Sequence, residues 1–149
     1  MIMHVVALSM IVAPIAVYPG GATGCARQAD AIEYRGNTYW RANDFVNASL
    51  ERVRLAEFIE KCVEHTPAGE EHDKLLVFAA EKYIDAARLA HAAGKTNLAS
   101  DLLERGNAKL LLRLKSFADL DSGSREVARY YLQAVQRCKN GHWGDMHLL

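Results

Sequence analysis

The side chains best suited to chemistry in this chain are six histidines and three cysteines, set among 18 acidic and 18 basic residues. A zinc-protease site would need an H-E-x-x-H helix motif, and a di-iron helix bundle would need Glu-x-x-His pairs. Neither pattern occurs, because no glutamate stands three residues before a histidine and no two histidines have the required spacing. We therefore expect no catalytic residues, no metal ligands and no cofactor.

The first 26 residues contain no Lys, Arg, Asp or Glu, so every charged residue follows them. Within this leader, residues 5–17 form a mostly apolar run that is short for a membrane span and fits the core of an export signal. Small residues at Ala22 and Gly24, or at Gly24 and Ala26, fit a signal-peptidase site. The usual positive charge before the core is missing, which leaves an uncleaved anchor or a mis-assigned start codon as alternatives.

The segment Ala22-Thr23-Gly24-Cys25 resembles the lipobox of bacterial lipoproteins. This resemblance implies that Cys25 is lipidated and that a lipid anchor there is the protein's only contact with a membrane. Lipidation of Cys25, or cleavage after Ala26, leaves Cys62 and Cys138 as a candidate disulfide in an oxidising compartment. The alternative is that both are free, buried cysteines. We expect a periplasmic or outer-membrane-anchored protein, or otherwise a secreted one.

The chain after the leader predicts one all-α domain, because it is rich in strong helix formers and has no proline after Pro67. Apolar residues recur at helical spacing in four segments. The four predicted helices run from about Asp44 to His65, from Glu71 to Ala93, from Thr96 to Ala118 and from Ser124 to Lys139.

The second of these helices is apolar around most of its circumference, so we expect it to lie at the centre of the domain. Its polar residues fall on a narrow strip made of Lys74, Glu81, Asp85 and Arg88, with Lys82 beside it. In the third helix, Gly106 indicates a close helix crossing or a bend, since glycine disfavours a helix interior.

Residues 27–43 form an arm between the leader and the predicted four-helix domain at 44–140, and residues 141–149 are expected to be a flexible tail. Alternation of residue types around Gly36-Asn37 is typical of a short β-hairpin, although an extended arm that caps the helices is the favoured interpretation. Tyr34, Tyr39 and Trp40 in this arm are the candidate contacts for a partner protein.

The spacing Gly94-x4-Ala99-x3-Leu103 recurs 29 residues later as Gly123-x4-Ala128-x3-Leu132. It resembles the helical hairpin of tetratricopeptide repeats, most closely over residues 81–111, where small and large residues follow that family's pattern. Ala90 stands where an aromatic residue is usual. The resemblance implies a hairpin array or bundle with a concave surface that binds another polypeptide.

The formal net charge of the chain is zero and no basic patch stands out, which argues against nucleic acid as a partner. These features together predict a non-catalytic, exported helical protein that binds a partner protein in the cell envelope, for assembly, for secretion or to neutralise a toxin. The alternative is a small helical carrier of a lipid or a metal.

Overall fold

The computed structural model describes residues 22–114 and 117–144, so most of the leader and the last residues of the tail lie outside the described part. The described residues form five α-helices and no strand, which confirms the all-α class and corrects the expected number of helices from four to five. The helices are α1 (Ala22–Arg41), α2 (Phe45–Glu64), α3 (Glu70–Ala92), α4 (Thr96–Leu114) and α5 (Ser122–Lys139), and a 3₁₀ turn at Phe117–Asp119 precedes α5.

Local capping residues set the helix ends near their predicted positions. The Asp44 carboxylate accepts a hydrogen bond from the Asn47 backbone N–H at 3.2 Å, which caps the start of α2. Asp121 caps α5 in the same way through the Ser124 backbone N–H at 2.6 Å. Gly94 reverses the chain after α3 with a φ of +80°, a conformation that favours glycine. Helix α4 ends at Leu114, earlier than the predicted Ala118.

The predicted hairpin or extended arm at 27–43 is wrong, because this segment belongs to helix α1. Cys25, Ala29 and Ile32 are buried at helical spacing and pack on α2. Gly36 lies close to α2, since a Cβ at that position would lie 3.3 Å from Cβ of Glu51 and would displace the end of the Arg52 side chain. The glycine that indicated a turn in the sequence therefore serves a close contact between two helices.

Helix α3 is the centre of the domain, as predicted, and its second half is almost entirely buried. Consecutive helices are joined by short loops and pack as neighbours from α1 to α4, while α5 packs mainly on α3. Helix α4 approaches α3 closely at Gly106, where a Cβ would lie 2.6 Å from Cγ1 of Ile84. This contact confirms the close crossing predicted from the glycine.

The beginning of the predicted flexible tail packs on the domain. The Trp143 ring stacks on His91 at the end of α3, with ring centroids 4.4 Å apart and planes inclined by 5°. The Trp143 carbonyl accepts a hydrogen bond from Nε of Arg88 at 3.2 Å. Residues 141–144 are therefore part of the fold, whereas residues 145–149 lie outside the described part.

No helix among the described residues is both long enough and apolar enough to span a bilayer.

Candidate functional site: a polar groove between alternate helices

A pocket of about 330 Å³ opens between helices α1, α3 and α5, with one side chain from α2 at its edge. Its volume is near the lower end of the range for small-ligand pockets. We call it the polar groove, and its lining residues are Glu33, Asn37, Trp40, Arg41, Arg52, Lys82, Asp85, Leu89 and Tyr131. Charged and aromatic side chains from separate helices thus converge on one cavity.

Lys82 on α3 is buried although it carries a charge, with only 6% of its side chain exposed. Its Nζ atom lies 3.2 Å from a carboxylate oxygen of Glu33 on α1 and 3.5 Å from one of Glu81. The ammonium also lies 4.8 Å from the centre of the Phe78 ring. Burial raises the pKa of Glu81 even though Lys82 opposes that rise. Lys82 therefore links α1 to α3 and has its charge matched within the protein.

Asp85 forms the floor of the polar groove with Tyr131 of α5. The Tyr131 hydroxyl donates to the Asp85 carboxylate, with distances of 3.0 Å and 3.2 Å to its two oxygens. Burial raises the pKa of Asp85, and burial together with the Asp85 charge raises the pKa of Tyr131. Among the residues described, no cationic group comes within ion-pair distance of Asp85. Tyr131 therefore keeps its proton and acts as a hydrogen-bond donor.

Arg52 of α2 reaches past Gly36 to the edge of the groove. Its Nη2 donates a 2.6 Å hydrogen bond to Oδ1 of Asn37. Its Nη1 is buried and has no hydrogen-bond partner in the described part of the chain. A guanidinium carries five N–H donors in a planar fork, so Arg52 brings more donors to this edge than Asn37 satisfies.

A second buried cluster lies on the opposite side of α3, where Tyr83 donates a hydrogen bond to Glu60 of α2. Lys109 of α4 forms an ion pair with the same carboxylate, and Nη2 of Arg105 lies 2.7 Å from the Tyr83 hydroxyl. Burial acts to raise the pKa of Glu60, but the hydrogen bonds from Lys109 and Tyr83 outweigh it and hold this pKa below its usual value. This cluster joins α2, α3 and α4 and lies apart from the polar groove.

The three aromatic residues predicted to contact a partner do not form one surface. Tyr34 is 68% exposed on α1, and helical spacing places it one turn before Asn37 at the side of the groove. Tyr39 and Trp40 are half-buried against the cluster that includes Leu89, and Trp40 also lines the groove.

The cysteine pairing differs from the prediction. Cys25 on α1 and Cys62 on α2 form a disulfide, with Cα atoms 6.1 Å apart, whereas Cys138 is free. Cys138 lies in the core around α3 and α5, where burial raises the pKa of its thiol. The predicted Cys62–Cys138 bridge is therefore wrong, because Cys62 faces α1. The bridge and lipidation of Cys25 require the same sulfur atom and exclude each other.

Sequence patterns could not identify the groove, because the residues that line it come from four helices and share no common spacing. The polar strip on α3 was the signal that could have found it, since Asp85 and Arg88 are each only 9% exposed. A charged strip on a central helix must be buried against partners. Within the described residues, no group of three His, Cys, Asp or Glu side chains is placed to hold a metal ion.

A larger open depression of about 550 Å³ lies between α1 and α2. Arg54, Glu57, Lys61 and Glu64 line it and are exposed, so it has the character of an ordinary charged surface. We therefore take the smaller polar groove, with its buried charges, as the candidate site.

No protein-family model matches this chain, and no match was found to a curated protein or to a solved structure. The proposals below therefore rest on the chain's own residues.

Proposed function

We propose that this chain is a non-catalytic, exported helical protein that binds a segment of a partner protein in the polar groove. The observation that carries the proposal is that the groove is lined chiefly by alternate helices, α1, α3 and α5. In arrays of helical hairpins, alternate helices line one concave surface, and that surface is where a partner polypeptide binds.

The α3–α4 hairpin supports such an array, because the tetratricopeptide-like spacing falls on it. Gly94 lies in its turn, Ala99 and Leu103 are buried on α4, and Gly106 permits the close approach to Ile84. Helix α5 packs mainly on α3, which is the contact that the first helix of a following hairpin would make. We infer a short hairpin array in which α1, α3 and α5 present their side chains to the partner.

The cysteines support an oxidising compartment as the site of action. The Cys25–Cys62 disulfide fits the export that the apolar leader predicts. We propose that the mature chain keeps Cys25 and acts in the periplasm or outside the cell. A chain lipidated on Cys25 would instead be anchored to the membrane and would lack this bridge.

The intact mass of the protein from membrane and soluble fractions tests this compartment. We expect a soluble species that has lost residues 1–24 by cleavage after Gly24, retains Cys25 and has one alkylatable thiol after denaturation, at Cys138. A species with the mass of a lipid added, or an unprocessed chain with three reduced thiols, would contradict it.

Site-specific photo-crosslinking in cells of the source organism tests partner binding. A photoreactive phenylalanine derivative replaces Tyr34 beside the groove. As a control, it replaces Leu112, which is 65% exposed and lies on α4, a helix that does not line the groove. We expect a discrete protein adduct from position 34 and none from position 112. The same adducts from both positions, or none from position 34, would reject the groove as the partner's binding site.

Among the described residues, no observation favours the alternative function as a carrier of lipid or metal.

A further inference from the structure

The charged residues of the polar groove are not balanced. Its lining includes three cationic side chains, Arg41, Arg52 and Lys82, and two carboxylates, Glu33 and Asp85. Glu33 and Lys82 form an ion pair with each other. Asp85 accepts a hydrogen bond from the Tyr131 hydroxyl. Three cationic side chains against two carboxylates leave the lining with one positive charge in excess.

The hydrogen-bonding groups show the same excess of donors. Arg52 has an acceptor for Nη2 in Asn37, but Nη1 is buried without one. Buried charged donors without acceptors are unfavourable, so an added acceptor next to them is stabilising. An anion with two oxygens in one plane matches the guanidinium fork best.

We propose that the polar groove binds a carboxylate group, held by the Arg52 guanidinium with Arg41 at the rim. The inference rests on the proposed function, because it names the group through which the partner segment is recognised. Lys82 and Asp85 hold the floor of the groove in place, and the Trp40 ring provides an apolar wall beside the carboxylate. The carboxylate is the C-terminus of a polypeptide or belongs to a free small acid of the same chemistry.

The test is a titration of the mature, disulfide-bonded protein followed by ¹H–¹⁵N NMR, with the Trp40 indole and Asn37 side-chain signals as reporters. The probes are a random heptapeptide pool with free C-termini, the same pool with amidated C-termini, and glutarate. We expect the free-acid pool to bind at least tenfold more tightly than the amidated pool, with shifts at the reporters.

The key variant is Arg52→Gln, with Arg52→Lys to restore the charge without the fork. Arg54→Gln is the matched control, since Arg54 lies on the same helix, is 63% exposed and lines the other depression instead of the groove, although it also forms an ion pair with Glu51. We expect Arg52→Gln to weaken binding of the free-acid pool about tenfold, Arg52→Lys to restore part of it, and Arg54→Gln to change nothing. The backbone spectrum of each variant verifies that the fold is intact.

Glutarate binding at the reporters without discrimination between the peptide pools supports the carboxylate site and assigns it to a free small acid. Equal binding of both pools that is unaffected by Arg52→Gln overturns the carboxylate site but leaves partner binding in the groove standing. Absence of shifts with all three probes also overturns it, whereas partner binding is judged separately by crosslinking from position 34.

Discussion

Two tyrosine–carboxylate pairs lie on opposite sides of α3, and their surroundings differ. Tyr83 bonds to Glu60, which is also in contact with the cation of Lys109, and the pKa of Glu60 lies below its usual value. Tyr131 bonds to Asp85, which has no cation in contact among the described residues, and burial raises the pKa of Asp85. Both carboxylates line a pocket, Glu60 the open depression and Asp85 the polar groove, but only Glu60 has its charge matched by a cation in contact. One side of α3 thus carries a neutralised carboxylate, and the proposed ligand site lies beside the carboxylate on the other side.

Among the changes that test this comparison, removal of the Cys25–Cys62 disulfide is expected to have the largest effect on the free energy of unfolding. Replacing Cys25 and Cys62 together by alanine should lower the free energy of unfolding by ~4 kcal/mol, as the chain-entropy model gives for a 37-residue separation. Chemical denaturation measures the loss, and hydrogen exchange locates it. We expect α1, which forms one wall of the groove, to lose protection before the α2–α3–α4 cluster around Glu60. Equal loss of protection in α1 and α4 would show that the two sides of α3 do not differ in stability.

The second-largest effect on stability is expected at the Tyr83–Glu60 pair. Because the folded-state pKa of Glu60 is lowered, its contribution to stability is present above the unfolded value of 4.5 and is lost as the pH falls through the folded value. Glu60→Gln should therefore lower the free energy of unfolding by about 2 kcal/mol at neutral pH, as loss of a charged hydrogen bond does. Denaturation at several pH values measures it. A difference between the variant and the parent that persists unchanged at pH 3 would contradict this assignment.

For the Tyr131–Asp85 pair in the groove, we expect removal of the carboxylate charge to change the free energy of unfolding with the opposite sign. Because the folded-state pKa of Asp85 is raised, its charge costs stability above the unfolded value of 3.8, and this cost grows as the pH rises towards the folded value. Asp85→Asn should raise the free energy of unfolding at neutral pH and have no effect near pH 3. Thermal unfolding across this pH range measures it. Destabilisation at neutral pH would mean that Asp85 is a well-paired carboxylate and would remove the contrast.

The smallest effects on the free energy of unfolding are expected from removing the two tyrosine hydroxyl groups. Tyr131→Phe should lower the free energy of unfolding by only about 0.5 kcal/mol, because its hydroxyl bonds to a single carboxylate. Tyr83→Phe should lower it by about 1 kcal/mol or more, because the Tyr83 hydroxyl donates to Glu60 and also accepts from Arg105. A double-mutant cycle of Tyr131→Phe with Asp85→Asn measures the coupling between hydroxyl and carboxylate. Coupling as strong as that between Tyr83 and Glu60 would contradict the distinction between the pairs.

The sequence predicted the fold where local signals decide it. Asp44 and Gly94 lie at helix ends as expected, and the apolar circumference of α3 predicted its central position. Gly106 predicted a close crossing because a mid-helix glycine is unfavourable unless packing requires it. Such features can be predicted because helix caps, turn residues and apolar periodicity each depend on a few residues that are neighbours in the sequence.

The candidate site was not predictable in the same way. The residue pattern around Gly36 predicts an extended arm or a hairpin and not helix α1, so it does not identify the wall of the groove or the partner of Cys62. Lys82 and Asp85 belonged to a polar strip whose burial depends on Glu33 and Tyr131, which are distant in sequence. Contacts between helices determine this site, and a single sequence does not encode them as a spacing.

The stacking of Trp143 on His91 has a practical consequence for the chain's optical properties. The chain has only two tryptophans, and Trp40 lines the groove while Trp143 covers the end of α3. Because Trp143 stacks on an imidazole and Trp40 borders the groove, the two rings emit from different surroundings. After Trp143→Phe, the remaining tryptophan fluorescence comes from Trp40, so it can serve as an optical probe of the proposed ligand site.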